Sequence, residues 1–417
     1  MPGENPNQHQ RAALPTAELA ALQDLAASLQ QHGALEEGAT IPVFQNQLEL
    51  QNRHTGVFIE KNAVAALSLR YCGLTSLPES LGQFMRLRRL DVTGNQLTAL
   101  PQSLGKMFHV KHLYADENQL TSLPESLGNL ARLEALHLDA NQLTALPESI
   151  GQLANLKVLS VYGNPLTTLP VSIGQLTQLT EIRLGRNQLT ALPESFWQLV
   201  NLQSLIVAET RLAALSEGIG RLTRLRTLDI GHNNLTALPE ALGGLTNLTH
   251  FLYLSNNHLT ALPPTLFERL SRLRYLNVTD NRLTTLPETI GRLSSLIELR
   301  LYNNELTALP AALGRLTNLK ELHLMNNRLT TLPDTIGSLT HLTHLDLRNN
   351  RLMALPESLG TLSNLRQLDL RGNRVIALPA CLGDLPSLEK LDLRWNKLAS
   401  VPAWFHRLEQ RGCVIFT

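Results

Sequence analysis

One pattern of apolar and polar residues is repeated fifteen times between Val64 and Pro402. Written with x for a variable residue, it is LxxLxLxxNxLTxLPxxIGxLxx, and Asn usually stands at its ninth position. Successive copies are 23 residues apart, except for two steps of 24 residues on either side of Asn257. A fixed period of about 20 to 50 residues indicates a stack of similar units. Positions within each copy are therefore numbered from 1 to 23 below.

The copy that begins at Leu133 shows what one unit forms. Leu136 and Leu138 alternate with polar residues, which is the period-two pattern of a short, half-buried strand. One unit cannot enclose its own leucines, so the units must stack and their strands must form a parallel sheet. Pro147 prevents further sheet hydrogen bonding, so the return segment becomes a turn, a short helix or a 3₁₀ helix. Gly151 is expected to permit a tight bend there.

The ninth-position Asn turns the chain out of the strand. Its amide both donates and accepts, so successive Asn residues are expected to form a buried ladder with the backbone. Because the return segment is wider than the strand, the stack should curve. The pattern predicts an α/β solenoid with the shape of a horseshoe, built from about fifteen repeats. The parallel β-sheet lies on its concave face, and short helices, 3₁₀ segments and turns lie on its convex face.

The pattern also predicts the organisation of the chain. Residues 1–15 are expected to be a flexible N-terminus, 16–62 a helical and hairpin cap, 63–402 the solenoid, and 403–417 a C-terminal cap. Leucines at helical spacing predict a helix from Thr16 to His32. Residues 60–62 are expected to turn a strand back into the first repeat. A solenoid needs its ends covered, although the N-terminal helix could also dock a partner.

The repeats between residues 199 and 287 depart from the pattern. Thr210 replaces the Asn, Ser216 replaces the Pro, and Ile206 stands at an outward strand position. The two longer steps fall in the same region. Two interpretations remain open. The substitutions are either neutral changes that the repeats tolerate, or they produce a local change of curvature at a binding site.

Positions 3, 5, 7 and 8 are expected to point out of the concave face. All six tyrosines of the chain fall at these positions, as do several histidines. The packing of the solenoid does not require exposed tyrosine, whereas protein interfaces favour it. The predicted partner-binding residues are Tyr114, His137, Tyr162, Arg183, Ile206, Tyr253, Tyr275, Arg300, Tyr302 and His323.

Charged residues occupy the same face near the C-terminus. Aspartates stand at position 5 and arginines at position 7 of three successive repeats, namely Asp346, Asp369, Asp392, Arg348, Arg371 and Arg394. Opposite charges on adjacent strands are expected to neutralise each other. Trp395, at position 8 of the last repeat, is the exception to a self-compensating surface.

The sequence contains no pattern typical of catalysis. A glycine-rich phosphate loop with Lys, HExxH, clustered CxxC and a nucleophile elbow are all missing. His112, Asp116, His137 and Asp139 on neighbouring strands are the nearest approach to a zinc site. A flat sheet offers few neighbouring groups that could orient the metal ligands. We therefore expect no metal, no catalytic residue and no cofactor.

Composition narrows the partner class further. A formal net charge of +1 gives no argument for nucleic acid, and neither a secretory signal nor an apolar stretch long enough to insert in a membrane is found. The three cysteines, Cys72, Cys381 and Cys413, are not arranged as the pairs that staple secreted repeat proteins. We expect a cytoplasmic chain, monomeric or weakly dimeric, with a protein partner.

The repeats LRRLDVTGNQLTALPQSLGKM and LKELHLMNNRLTTLPDTIGSL resemble the 23-residue class of intracellular leucine-rich repeats. This class includes the Ras-group scaffolds, the Scribble-like polarity proteins, Roco proteins and bacterial relatives. The resemblance covers about four fifths of the chain. It implies a non-catalytic scaffold in signalling, with a small GTPase or a signalling enzyme as the partner class. The bias toward Ala, Leu, Gly and Arg points to a bacterial source.

Other functions stay open at the level of the sequence. The first alternative is a secreted bacterial effector or surface protein that binds a host protein. Weaker alternatives are a metal-dependent hydrolase that uses the patch around His112 and His137, and a carbohydrate binder, because tyrosines also stack on sugar rings.

Overall fold

The computed structural model describes residues 10–11 and 13–417. The chain divides into two compact units, the first up to Leu202 and the second from Gln203. Most of the flexible segment predicted for residues 1–15 lies outside the described residues. None of the described helices is both long and apolar enough to cross a membrane.

The first unit begins with helix α1 and continues as strands that alternate with 3₁₀ helices. Its α-helices are α1 (Thr16–Gln31) and α2 (Gln47–Gln51). Its strands are β1 (Val43–Phe44), β2 (Thr55–Glu60), β3 (Ala63–Leu69), β4 (Arg89–Asp91), β5 (His112–Tyr114), β6 (Ala135–His137), β7 (Val158–Ser160) and β8 (Glu181–Arg183). Its 3₁₀ helices are Glu79–Gln83, Gln102–Lys106, Glu125–Asn129, Glu148–Gln152, Val171–Gln175 and Glu194–Gln198. Strands β3 to β8 pair in order and in parallel.

The second unit repeats this alternation and ends with helix α3 (Phe405–Gln410) and a last strand. Its strands are β9 (Ser204–Ile206), β10 (Thr227–Asp229), β11 (Phe251–Tyr253), β12 (Tyr275–Asn277), β13 (Glu298–Arg300), β14 (Glu321–His323), β15 (His344–Asp346), β16 (Gln367–Asp369), β17 (Lys390–Asp392) and β18 (Val414–Phe416). Its 3₁₀ helices are Glu217–Arg221, Glu240–Gly244, Pro264–Phe267, Glu288–Arg292, Ala311–Arg315, Asp334–Ser338, Glu357–Thr361 and Ala380–Asp384. All ten strands pair in chain order and in parallel.

The asparagine ladder is present and ties each repeat to the one before it. Asn141 donates to the carbonyl oxygens of Leu138, at 3.0 Å, and of Ala115 in the preceding repeat, at 2.9 Å. Its side-chain oxygen accepts from the backbone N–H of Leu120 at 3.0 Å. These buried backbone groups would otherwise have no partner, so the predicted ladder is confirmed and its physical role is backbone satisfaction. At the break in the ladder, Thr210 instead donates to the side chain of Asn233 at 2.5 Å.

The return segments are the expected 3₁₀ helices, but their glycines serve a different purpose from the one predicted. Gly151 does not adopt a left-handed conformation, so it makes no special bend. A methyl group there would lie 2.6 Å from the backbone oxygen of Ser172 and 2.7 Å from its Cβ. At Gly151 glycine is therefore required because the next 3₁₀ helix approaches too closely for a side chain.

The strands are shorter than the pattern suggested. In each regular repeat only positions 3 to 5 are paired as a strand, for example Ala135–His137. Position 8, read from the sequence as an outward strand position, has a positive φ in every repeat, including +53° at Tyr71, +52° at Ala140 and +64° at Trp395. The chain therefore leaves the strand through a left-handed residue before it reaches the ladder Asn.

Both ends of the described chain cover apolar surface. Along α1, Leu22, Leu25 and Leu29 are buried, and the buried carboxylate of Glu18 accepts a hydrogen bond of 2.8 Å from the backbone N–H of Val64 in β3. Strands β2 and β3 form an antiparallel hairpin whose two turn residues, at positions 61 and 62, both have positive φ, as a type I′ turn requires. The turn predicted at residues 60–62 is therefore confirmed.

Candidate partner-binding face

Positions 3, 5, 7 and 8 of successive repeats lie on the uncovered side of each sheet, which we call the strand face. The leucines at positions 4 and 6 are buried on the opposite side throughout both units. Large side chains on the strand face therefore contact mainly their neighbours on the same face. Groups of such side chains in mutual contact are the candidate sites for a partner.

Three aromatic side chains form a contact group on β11 and β12, which we call the aromatic cluster. Its members are Phe251, Tyr253 and Tyr275. The ring centroids of Tyr253 and Tyr275 are 5.1 Å apart, and that of Phe251 lies 5.7 Å from Tyr253 and 5.6 Å from Tyr275. These separations are typical of favourable aromatic pairs. Phe251 nevertheless remains 40% exposed, so the aromatic cluster presents apolar surface to solvent.

A groove of about 300 Å³ runs beside the aromatic cluster. Phe251 and Tyr275 form part of its wall, and the rest is contributed by His250, Arg274, Ile297 and Glu298. The guanidinium carbon of Arg300 lies 5.5 Å from the centroid of the Tyr275 ring, and the same group donates to Glu298. Burial raises the pKa of Tyr275 to about 12 and also raises the pKa of Tyr253. Both hydroxyl groups therefore keep their protons at neutral pH and remain available as hydrogen-bond donors.

The structure brings some of the ten predicted residues together and leaves others apart. Tyr253, Tyr275 and Arg300 belong to the groove region just described, and Tyr302 lies on the same strand face near Arg300. His323 instead contacts two carboxylates, Glu321 at 3.1 Å and Glu298 at 3.8 Å.

The remaining predicted residues lie elsewhere on the strand face of their own unit. Ile206 is half-buried at the end of β9 in the second unit. In the first unit, Arg183 is exposed and donates to Glu181 at 2.6 Å, while Tyr162 follows β7 at position 7. Phe251 was not among the predicted site residues, although it is the most exposed member of the aromatic cluster.

A second stack of side chains crosses three strands of the first unit. The guanidinium carbon of Arg89 lies 4.1 Å from the ring centroid of Tyr114. The opposite neighbour of Tyr114 is His137, whose ring is nearly parallel to it at 4.8 Å. Burial lowers the pKa of His137, so its imidazole is mainly neutral at physiological pH. The predicted residues Tyr114 and His137 are thus in contact, and Arg89 is a member of the stack that sequence reasoning missed.

Two carboxylates lie beside this stack at position 7 of adjacent repeats, Asp116 and Asp139, which we call the acidic pair. The backbone N–H of Asp139 donates to Asp116 at 2.7 Å. The carboxylate of Asp139 accepts from the Ser160 hydroxyl at 2.6 Å and from the Tyr162 N–H at 2.8 Å. Burial, opposed by that backbone hydrogen bond and aided by repulsion from Asp139 and Asp91, raises the pKa of Asp116 to about 6.

The four residues considered for a zinc site do not converge. The ring of Tyr114 stacks on His112, at 6.5 Å between ring centroids, and on His137, at 4.8 Å, so both imidazoles contact this ring. Within the described part of the chain, the group of possible ligands that does converge is Glu298, Glu321 and His323. Glu298 already accepts a hydrogen bond from Arg300, and His323 lies against both carboxylates.

The charged ladder near the C-terminus compensates itself, as expected. Arg348 binds Asp346 of its own strand at 2.6 Å and Asp369 of the next strand at 3.5 Å. Arg371 repeats this arrangement with Asp369 at 2.7 Å and Asp392 at 3.4 Å. Every carboxylate of this ladder therefore meets a guanidinium, in contrast to the acidic pair of the first unit.

Trp395 follows the charged ladder and remains 72% exposed. Arg394 stacks against it at 5.6 Å and binds Asp392 at 2.7 Å. An exposed tryptophan in a left-handed conformation is energetically unfavourable, and nothing else in its surroundings explains it.

Comparisons with known proteins agree with this architecture. Residues 265–369 match the family described as leucine-rich repeat region, and the leucine rich repeat family matches residues 85–143, 133–189, 154–212, 200–252 and 355–398. A third match, to Leucine Rich Repeat, covers residues 249–270. A search of the curated proteins found no match.

Solved structures give the same result. A leucine-rich repeat protein of Leptospira interrogans is 32% identical, with a TM-score of 0.76, over 90% of this chain and 100% of its own. The plant peptide hormone receptor RGFR1, solved in complex with RGF2, is 26% identical with a TM-score of 0.65, over 85% of this chain and 62% of its own. An internalin from Listeria monocytogenes, 21% identical with a TM-score of 0.53 over 85% of this chain and 97% of its own, shows a likeness of fold alone. The repeated strands, the asparagine ladder and these matches together establish that the chain belongs to the leucine-rich repeat family.

Proposed function

We propose that this chain is a non-catalytic recognition module that binds a segment of a partner protein on the strand face, with the aromatic cluster as its anchor. The observation that carries the proposal is the exposure of Phe251 at the edge of a groove. Burying one large aromatic side chain contributes about 1.5–3 kcal/mol to binding or folding, and interface energy is concentrated in a few such residues.

The surroundings of the aromatic cluster suit a polypeptide better than a flat apolar partner. Tyr253 and Tyr275 keep their hydroxyl groups protonated, so they can donate to backbone carbonyl oxygens of the partner. Arg300 and Glu298 add a charge of each sign at the rim. An apolar centre with a polar rim is the usual anatomy of a protein interface. The receptor structure that resembles this chain also holds a partner, RGF2.

The proposal also covers the partner class and the cellular location of the module. The resemblance to Ras-group and Scribble-like scaffolds supports a small GTPase or a signalling enzyme as the partner, in the cytoplasm of a bacterium. All three cysteines are free, which suits a reducing compartment. An exported effector or surface protein that binds a host protein is the competing placement. We also infer that residues 16–62 and 403–417 act as caps, because their buried apolar side chains pack against the first and the last repeat.

The experiment that tests the proposal is affinity capture from a lysate of the source organism, followed by mass spectrometry. The test variant is Phe251→Ala/Tyr275→Ala. The matched control, Val171→Ala/Met353→Ala, removes two exposed apolar side chains that lie outside the strand face. Circular dichroism verifies that both variants are folded.

We expect a partner that binds the wild type and the control but is lost from the aromatic variant. A partner retained equally by both variants would contradict the proposed site. When the same capture is repeated from an extract of host cells, a partner found only there would favour the exported placement over the cytoplasmic one.

A further inference from the structure

A row of basic residues borders the groove beside the aromatic cluster. The row is formed by position 2 of each repeat, at the edge of the strand face where the strands begin. Arg226, Arg274 and Lys320 stand there in the second unit, and all three side chains are exposed. None of them forms an ion pair with any residue that the structure describes. We call these three residues the basic row, and the residues between them, His250 and Ile297, add no negative charge.

The backbone places these five residues side by side on adjacent strands. The N–H of His250 donates to the carbonyl oxygen of Arg226 at 3.0 Å, and the strands that follow His250 and Arg274 pair directly. The N–H of Ile297 donates to Arg274 at 2.9 Å, and that of Lys320 donates to Ile297 at 2.8 Å. The three cations therefore stand on alternate strands, about 10 Å apart along the sheet. That distance equals the length of about three residues of an extended chain.

The first unit provides an internal comparison, because its cations at position 2 are neutralised within the chain. Arg88 binds Glu60 at 2.5 Å, and Glu134 binds both Lys111 and Lys157 at 2.7 Å. Among the described residues, the basic row of the second unit has no such carboxylates. It therefore presents a positive potential that is complementary to an anion.

The groove itself is mainly apolar and narrows the kind of anion. Phe251, the ring of Tyr275 and Ile297 line it, and Arg274 of the basic row lies at its edge. The only carboxylate among its lining residues, Glu298, accepts a hydrogen bond from Arg300. A ligand in this groove therefore meets an apolar wall and an unpaired guanidinium together. An apolar side chain flanked by carboxylates would satisfy both.

The arrangement of the rings favours an acidic polypeptide over a nucleic acid. Nucleic acids bind to basic surfaces through bases that stack on open aromatic faces. Here Phe251 stacks on Tyr253 at 5.7 Å and lies edge-on to Tyr275 at 5.6 Å, and Arg300 lies over the Tyr275 ring at 5.5 Å. Much of the ring surface is therefore occupied within the chain. The surface of Phe251 that remains exposed suits an aliphatic or aromatic side chain of a peptide.

We propose that the groove and the basic row together bind an acidic segment of the partner protein. An apolar side chain of the segment packs on Phe251, and carboxylates about three residues apart bind the cations of the basic row. The inference rests on the proposed function, because the apolar side chain occupies the aromatic cluster assigned there as the anchor. It adds the charge of the partner segment and the residues that select it.

The test uses fluorescein-labelled peptides as probes and fluorescence anisotropy at low ionic strength as the readout. The acidic probe is GEQLEQFEQG, which carries a glutamate at every third residue. One control peptide, GQQLQQFQQG, lacks the charges, and the other, GEQSEQSEQG, lacks the apolar side chains. The test variant of the protein is Arg274→Gln/Lys320→Gln. The charge-matched control is Arg292→Gln/Arg315→Gln, which neutralises two exposed arginines on 3₁₀ helices of the same unit.

We expect the acidic probe to bind the wild type and the charge-matched control alike. It should bind the test variant about fivefold to tenfold more weakly, since two exposed charge pairs are lost. Both control peptides should bind the wild type more weakly than the acidic probe. No measurable binding of the acidic probe to the wild type, or an equal loss in both variants, would overturn the proposal. A labelled oligothymidylate that binds more tightly than the acidic probe would also overturn it, in favour of nucleic acid.

Two outcomes separate this inference from the proposed function. If Phe251→Ala loses the acidic probe and the test variant does not, selection by the basic row is wrong and the aromatic anchor stands. If the natural partner is still captured by Phe251→Ala/Tyr275→Ala while the test variant loses the acidic probe, the aromatic anchor is wrong and selection by the basic row stands.

Discussion

Replacement of Asp116 by Asn should stabilise the protein at neutral pH, and the size of the effect follows from the structure. Folding raises the pKa of Asp116 from 3.8 to about 6, mainly through burial. Because one pKa unit corresponds to about 1.4 kcal/mol, the ionised side chain costs at most about 3 kcal/mol. The side chain is partly exposed to solvent, so screening reduces the expected cost to roughly 1–2 kcal/mol. Asn keeps the oxygen that accepts the 2.7 Å hydrogen bond from the backbone of Asp139, so the variant loses the charge but not the contact.

The effect must depend on pH with a definite sign. A carboxyl group with a raised pKa in the folded state binds its proton more tightly there than in the unfolded state. Its ionisation therefore lowers stability as pH rises from about 4 to above 6, and the penalty is fully present at about pH 7.5. The difference between Asp116→Asn and wild type should be largest at about pH 7.5 and should vanish below about pH 4.

Urea unfolding followed by circular dichroism at several pH values measures this difference. The control is Asp24→Asn, which removes an exposed carboxylate from α1 and should leave the midpoint nearly unchanged. A less stable Asp116→Asn variant at neutral pH, or a gain in stability that does not change with pH, would refute the assignment of Asp116 as an uncompensated, partly buried acid.

Three further substitutions test the repeat architecture, each by the change in urea midpoint. Asn304→Ala removes the donor to two buried carbonyl oxygens and the acceptor of one buried N–H, so we expect a loss of about 2–4 kcal/mol. Gly243→Ala should be destabilising by about 2 kcal/mol or more, because its methyl group would overlap a backbone oxygen of the next 3₁₀ helix. The matched substitution Gly244→Ala has room for the methyl group and should be neutral or slightly stabilising. Ala140→Asn should stabilise by about 0.5–1 kcal/mol, since Asn tolerates the left-handed conformation, while Ala145→Asn should not. Equal effects within either matched pair would contradict the stated cause.

The repeat pattern was sufficient to predict the core of the fold because burial is encoded at single positions. Leucines at positions 4 and 6 specify which face of a strand is buried. The Pro that follows prevents further sheet hydrogen bonding in that repeat. The ladder role of residues such as Asn141 could be predicted because a buried amide must satisfy backbone groups. The same positions carry the resemblance to leucine-rich repeats.

The left-handed conformation at position 8 was missed, although the sequence contains a signal for it. Eight of the fifteen residues at this position are Gly, Asn or Asp, the types that adopt positive φ at least cost. Tyr71, Ala140 and Trp395 obscure that signal, because these residue types rarely adopt positive φ.

Phe251 was missed because an inserted residue makes its position ambiguous. Counted forward from Leu248, it falls on the buried fourth position, and counted back from Asn257 it falls on the outward third position. Only the pairing of Phe251 with Thr227 and Tyr275 decides between the two. The stack of Arg89 on Tyr114 was not predictable either, since side-chain directions on an open face depend on rotamers and not on the repeat pattern.

The measurement that tests the central claim most directly is site-specific photo-crosslinking. In one version p-benzoylphenylalanine replaces Phe251 on the strand face. In the other it replaces Val171, an apolar residue on a 3₁₀ helix that is more exposed than Phe251. Each protein is irradiated in the presence of the captured partner, and the adducts are mapped by mass spectrometry. The proposed recognition through the aromatic cluster predicts adducts from position 251 and none from position 171. Adducts from position 171 without any from position 251 would contradict it.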